Sequence, residues 1–157
     1  MINSIEQLRR LAATGRGWDA AIHVDTGMTR LGLDQRELDT LKTMMEDAGK
    51  DGDNPLGAVN PCLLMSHLTA SEDPHDDASA RQLAAFTKLR ELFPGIPASL
   101  GNSGGTLLGG DYRFDMTRPG IALYGLHPAG IDAEGVQIEE AATLTPAVTW
   151  QARILQH

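Results

Sequence analysis

Two short stretches carry groups suited to holding an anion. The first is Asn102-Ser103-Gly104-Gly105 and the second is Arg118-Pro119-Gly120-Ile121. Asn102 and Ser103 offer side-chain donors, and Arg118 offers a planar, permanently charged fork. Gly104, Gly105 and Gly120 have no side chain to hold a ligand off the backbone. Pro119 lacks an N–H, but Gly120 and Ile121 each bring one, and successive free N–H groups form an anion nest. Either stretch alone reads as an ordinary turn. Placed at the ends of consecutive strands, they read as two sides of one anion site. Two further groups stand in comparable positions: Arg30, in the loop Met28-Thr29-Arg30-Leu31-Gly32, and His67, directly after Ser66. On residue type alone, Arg30 reads as a solvated loop charge and His67 as a satisfied strand-end histidine.

The elements that must position these groups follow from periodicity and stop signals. Ser4 and Gln7 have capping-box spacing, and Ile5, Leu8 and Leu11 recur at helical intervals, which predicts a helix over 4–13. Trp18 to Val24 reads as a buried strand. Asp34 with Glu37 opens a second helix, stapled by Leu33 and Leu38, with Leu41, Met45 and Ala48 on its stripe and Gly49 as its stop. Cys62 to Met65 reads as a second strand. A third helix spans 79–93 on Leu83, Phe86, Leu89 and Phe93. Ala98 to Leu100 and Ile121 to Tyr124 read as third and fourth strands, and Ala147 to Leu155 alternates like a strand of something new. Strands alternating with helices predict an α/β fold with a parallel sheet, and ligand sites in such sheets lie at the carboxyl ends of the strands. About four βα units are present, whereas a closed eightfold barrel takes about 250 residues. The expectation is a partial (β/α)8 TIM barrel over 1–128, followed by a linker and the first strand of an incomplete β domain over 129–157.

Composition narrows the partners. The chain has 157 residues, 41% of them hydrophobic and 22% charged, as in an ordinary globular domain. Its net charge of −8 argues against a nucleic-acid or anionic-membrane partner, each of which needs a basic face. The single cysteine, Cys62, excludes an intrachain disulfide and reads as a small buried residue. No apolar run is long enough to span a bilayer, and the N-terminus lacks a signal-peptide pattern, so the expected compartment is the cytoplasm.

Three blocks resemble alanine racemase, a pyridoxal 5'-phosphate (PLP) enzyme family. They are His23-Val24-Asp25-Thr26-Gly27-Met28-Thr29-Arg30-Leu31-Gly32; Ser66-His67 with the acidic turn, Gln82 and Phe86 beyond it; and Gly101-Asn102-Ser103 followed by Phe114 to Gly125. The resemblance implies the second half of the family's barrel plus the start of its β domain, in a parent that works as a head-to-tail homodimer. It implies that Ser103, Gly120 and Ile121 hold the PLP phosphate, with Asn102 and Met28 lining the pocket. Arg118 would face the pyridine nitrogen and His67 would hydrogen-bond to Arg118. Arg30 would meet the cofactor's phenolic oxygen and the carboxylate of the substrate, alanine. The implied activity is interconversion of L- and D-alanine, the D-isomer serving the cell wall.

The resemblance also defines two groups to look for. The family's Schiff-base lysine lies at the end of the first barrel strand, and its second base is a tyrosine of the β domain supplied by the partner. The three lysines, Lys42, Lys50 and Lys88, fall on or just past predicted helices, and Tyr112 and Tyr124 precede the β domain. His23 stands where many relatives carry a carbamylated lysine. The chain on its own is therefore expected to be inactive, and to fold poorly, self-associate or complete its barrel with another polypeptide. Alternatives are a non-catalytic PLP- or partner-binding remnant and a racemase of another amino acid. Asp25-Thr26-Gly27 matches the triplet of aspartic proteases, but no second triplet exists and the helices contradict an all-β fold. Glu72, Asp73, His75, Asp76 and Asp77 read as a solvated turn capping the third helix rather than as a cation site.

Overall fold

The structure, a computed structural model, describes residues 1–51, 59–73, 75–129 and 144–153. Helix α1 (Ile5–Ala12) precedes strand β1 (Trp18–His23); α2 (Gln35–Asp51) leads to β2 (Val59–Met65); α3 (Ala78–Arg90) leads to β3 (Ala98–Ser99); and α4 (Ser103–Leu108) follows directly. The strands form one parallel sheet in the order β1-β2-β3. Backbone pairing extends past both named edges. Ile2 bridges Ile22 in parallel outside β1. On the far side, Asp115 and Met116 donate to the Ala98 carbonyl at 3.0 and 3.2 Å, and Arg118 donates to the Gly101 carbonyl at 2.8 Å. The sheet thus runs from Ile2 through three strands to the 115–118 segment, a parallel α/β arrangement that forms part of a barrel.

Local chemistry builds the helices largely as their capping residues predict. The Ser4 hydroxyl caps α1 by accepting from the Gln7 N–H at 3.2 Å. The Asp34 carboxylate accepts from the Glu37 N–H at 2.9 Å. The Glu37 carboxylate does not close its box; it accepts from the Ile5 N–H at 2.9 Å and ties α2 to the start of α1. Leu33 and Leu38 are both buried. One core joins Ile22, Val24 and Leu64 of the sheet region with Leu8, Leu38, Leu41 and Phe86 of the helices.

Four expectations are corrected. Ile121 to Tyr124 is a turn of 3-10 helix, not a strand. The place beside β3 is taken by 115–118, so the chain has already left the sheet when it reaches Ile121. Residues 147–153 form no strand; among the described contacts they are held by the Ala147 N–H donating to the Leu123 carbonyl at 2.8 Å, and residues 154 and 155 lie outside the described residues. Helix α2 continues through Gly49 to Asp51, so Lys50 lies within it. Glycine weakens a helix but does not by itself end one. Cys62 is exposed rather than buried. Ala20 pairs with Pro61 and Ala21 with Leu63, which leaves Cys62 as the unpaired extra residue of a bulge. Of the proposed β-domain segment, 130–143 also lies outside the described residues.

Candidate functional site

The segments that follow β2 and β3 line a cavity of about 460 Å³, with His67, Ser71, Asn102, Ser103, Arg118 and Ile121 among its residues. Arg118 supplies its charge. One guanidinium nitrogen donates to Ser99 Oγ, and the other donates to the Ser66 carbonyl and, at 3.5 Å, to the Leu100 carbonyl. Those acceptors sit on or beside β3 and at the end of β2, so the planar fork is braced by two neighbouring strands. Burial draws its pKa downward, yet a guanidinium starts so high that it keeps its proton.

Ser103 lines the same cavity. It is buried, and its hydroxyl oxygen accepts from the Gly120 N–H at 2.8 Å and the Ala122 N–H at 3.3 Å. The Gly120 N–H, expected to face an anion, is therefore turned toward Ser103. Among the described residues, the Ser103, Gly104 and Ile121 N–H groups have no acceptor. A Cβ added at Gly120 would meet only Ser103 Oγ, at 4.0 Å, so the space there is cavity rather than packed protein. The other two glycines serve packing. A Cβ on Gly104 would collide with the Ser71 backbone, and one on Gly105 would lie 2.6 Å from Leu68 Cδ1. These residues let α4 lie against the chain after β2. Asn102 caps α4: its Oδ1 accepts from the Gly105 N–H at 2.9 Å and from the Ser71 hydroxyl at 2.8 Å.

His67 lines the same cavity. Among the described contacts no hydrogen bond joins His67 to Arg118; three of the guanidinium's donors go to Ser99, Ser66 and Leu100. The influence is electrostatic instead. Burial lowers the His67 pKa most, and the positive charges of Arg118 and Arg30 lower it further. His23, buried at the end of β1, is lowered first by burial, then by Arg118 and His67; Asp25 raises it and Arg30 lowers it. Its Nδ1 lies 2.8 Å from Asn3 Oδ1, which fixes Nδ1 as the donor of the neutral ring.

Met28 and Arg30 lie in the loop after β1, with Arg30 exposed and Met28 half-buried. One carboxylate oxygen of Asp25 accepts from the Gly27, Met28 and Thr29 N–H groups at 2.9, 2.9 and 3.1 Å. That is the structural use of the Asp-Thr-Gly triplet: it organises a loop rather than activating water. The loop returns through Gly32, at φ +109°, where a Cβ would sit 2.8 Å from the Val24 carbonyl carbon. Val24 and Leu33 bridge in parallel and close it.

A buried polar chain beneath these groups has Gln82 of α3 at its centre, 2% exposed. Gln82 occupies a helical turn between buried Ser79 and Phe86. An amide on an otherwise apolar stripe was the sequence signal for it. Lys42 and Lys88 project from α2 and α3 into a separate groove of about 410 Å³. Tyr124 is exposed, and Tyr112 packs against the core beside α4. Three carboxylates of the acidic turn are spent on its own chain, and Glu72 lines the cavity. Asp73 accepts from the His75 N–H, Asp76 from the Ala78 N–H, and Asp77 pairs with Arg81. Among the described residues no cluster could hold a metal ion.

Comparison with known proteins agrees with this arrangement. The family profile "Alanine racemase, N-terminal domain" matches residues 1–128. The chain is 44% identical over 142 residues to an alanine racemase of Methylobacterium nodulans, covering 90% of this chain and 34% of that protein. It is 39% identical over 160 residues to one from Rhodospirillum rubrum, covering 99% and 38%. The solved alanine racemase of Bartonella henselae, with covalently bound pyridoxal phosphate, superposes with a TM-score of 0.72 at 34% identity, over 87% of this chain and 38% of that one. The chain therefore spans little more than a third of the length of these relatives. With the profile matching residues 1–128 and these relatives matching nearly the whole chain, the chain belongs to the alanine racemase family.

Proposed function

We propose that this chain supplies the phosphate, ring-nitrogen and carboxylate contacts of a PLP-dependent alanine racemase, which interconverts L- and D-alanine in the cytoplasm for the cell wall. The observation that carries the reading is that Arg118 lines one cavity together with Ser103 and the Gly120 bonded to it. The residues present fit the cofactor. Three N–H groups without acceptors, one hydroxyl and an open glycine suit a phosphate. The permanently charged fork of Arg118 suits an acceptor nitrogen.

PLP, when bound, draws electron density from the substrate α-carbon and makes its proton removable. The chain's own residues prepare that step. Ser103 and the Ile121 N–H bind the phosphate, and Asn102 holds Ser103 at the start of α4. Arg118 donates toward the ring nitrogen and has no proton to give up, so that nitrogen stays a proton acceptor. Arg30 offers two parallel donors to a carboxylate, and Met28 closes the wall beside it. His67 and His23, both favoured in their neutral forms, add no positive charge beside Arg118. The two proton-transfer groups come from outside these 157 residues, in a homodimeric parent.

A second reading, binding without turnover, is favoured for the isolated chain by the placement of Lys42 and Lys88 on outer helices. Titration with PLP followed by borohydride tests both. The expected result is reversible binding that weakens on Arg118→Ala and leaves no covalent adduct. A stable adduct at Lys42, Lys50 or Lys88 would overturn the half-site reading. Absence of binding would overturn the assignment of the cavity.

A further inference from the structure

The loop after β1 and the chain after β2 that lines the cavity are joined by one buried residue of α3 that does not itself line the cavity. Gln82 Oε1 accepts from the Thr69 N–H at 2.8 Å. Its Nε2 donates to the His67 carbonyl at 2.8 Å and to Thr26 Oγ1 at 3.2 Å. The amide orientation is forced, since a backbone N–H needs the oxygen and a backbone carbonyl needs the nitrogen. Thr26 Oγ1 accepts from Gln82 and shares a second hydrogen bond with Ser66 Oγ, 2.7 Å away, in which either hydroxyl can donate. The Ser66 carbonyl in turn accepts from Arg118. A single amide on α3 therefore fixes the loop after β1 to the chain after β2, and through Ser66 to the arginine.

We propose that Gln82 is a positioning residue. It sets the loop 26–32, and with it Met28 and Arg30, against the His67–Arg118 side of the cavity; this use rests on reading that cavity as the PLP site. The other side-chain link between these loops, Thr26 to Ser66, runs through the same Thr26 hydroxyl that Gln82 holds. Asp25 shapes the first loop internally but does not reach the second. The amide carries no charge, so the link is insensitive to pH although both neighbouring histidines titrate.

Amide hydrogen exchange on the whole chain tests the coupling. Gln82→Leu and Thr26→Val each remove one end of the same link. Each is expected to speed exchange in 26–33 by about tenfold, with the double variant no faster than Thr26→Val alone, which also frees Ser66. Gln82→Glu adds a readout that simple packing would not produce. A protonated carboxyl can donate to the His67 carbonyl while accepting from the Thr69 N–H, but a carboxylate cannot. Protection in 26–33 should therefore return in Gln82→Glu as pH falls. The wild type and Gln82→Leu, taken through the same range, subtract the contributions of His67 and His23. Additive effects of Gln82→Leu and Thr26→Val, or protection in Gln82→Glu indifferent to pH, would overturn the proposal. If Gln82→Leu fails to fold, Thr26→Val and Gln82→Glu still decide it. Failure of the wild type to bind PLP would overturn the functional reading instead, and the exchange cycle would still report the link.

Discussion

The Gly120 N–H donates to the Ser103 hydroxyl oxygen at 2.8 Å and so joins two loops 17 residues apart in sequence. This hydrogen bond makes the serine a part of the second loop's backbone structure as well as a donor to a ligand. Ser103→Ala removes the acceptor for two N–H groups, Gly120 and Ala122. The expected cost is about 1–3 kcal/mol of stability, read by chemical denaturation, together with weaker PLP binding. Unchanged stability would mean that water replaces the hydroxyl.

Gly104 and Gly120 separate packing from binding. Gly104→Ala forces a Cβ into the Ser71 backbone and should cost about 1–3 kcal/mol. Gly120→Ala, at φ −114°, meets no protein atom closer than 4.0 Å and should leave the melting temperature nearly unchanged. Its methyl group would enter the cavity, so PLP affinity should fall. Paired thermal melts and PLP titrations of the two variants check this reversal.

Arg118→Lys tests whether the fork or the charge matters. An ammonium cannot span Ser99 Oγ and the Ser66 carbonyl with the same planar geometry. Stability should fall by about 2 kcal/mol and the PLP absorbance response should weaken, despite the conserved charge. A lysine variant indistinguishable from the wild type in both measurements would reduce the site to a simple positive patch.

The two lowered histidines give stability a defined pH dependence. His67 and His23 ordinarily titrate near 6.5, and the fold favours their neutral forms. The folded state therefore binds fewer protons than the unfolded chain between the lowered values and 6.5. Their contribution is fully present above that ordinary value and is lost as pH falls through the folded values. Melting temperature should drop between about pH 7 and about pH 5, and His67→Gln should flatten the slope. Proton NMR titration of the His67 ring should show its pKa rising in Arg118→Gln, because one of the charges depressing it is removed.

The sequence made the helices and the loop order legible because each rests on local chemistry. Ser4 and Asp34 cap as their types suggest, and Leu33 and Leu38 bury as a staple pair. The fourth strand was misplaced because apolar content in Ile121 to Tyr124 was read without knowing which neighbour had a free edge. Asp115 to Arg118, poorer in apolar residues, takes that edge through backbone groups whose identity no side chain reveals. At the site, the residue types of Arg118 and Ser103 were legible, but their bonding was not. The glycines of 104–105 looked permissive for a ligand and proved permissive for Ser71 and Leu68. The expected His67–Arg118 hydrogen bond depended on which acceptors would reach the guanidinium first, and that is a matter of three-dimensional order.

The bulge at Cys62 has a counting consequence at the site. Side chains in a strand alternate between faces, so one surplus residue reverses the parity of everything after it. With Cys62 unpaired, Ile22 stands beside Leu64 on the helix-covered side and His23 beside Met65 on the other. The same residues paired regularly through Cys62, held at the lower end by the pairing of Asp19 with Asn60, would set Leu64 beside His23 and present Met65 to the helices. It would also exchange the roles of Ser66 and His67. An exposed cysteine with no chemical task thus acts as a phase marker, deciding which of two adjacent residues turns toward the arginine.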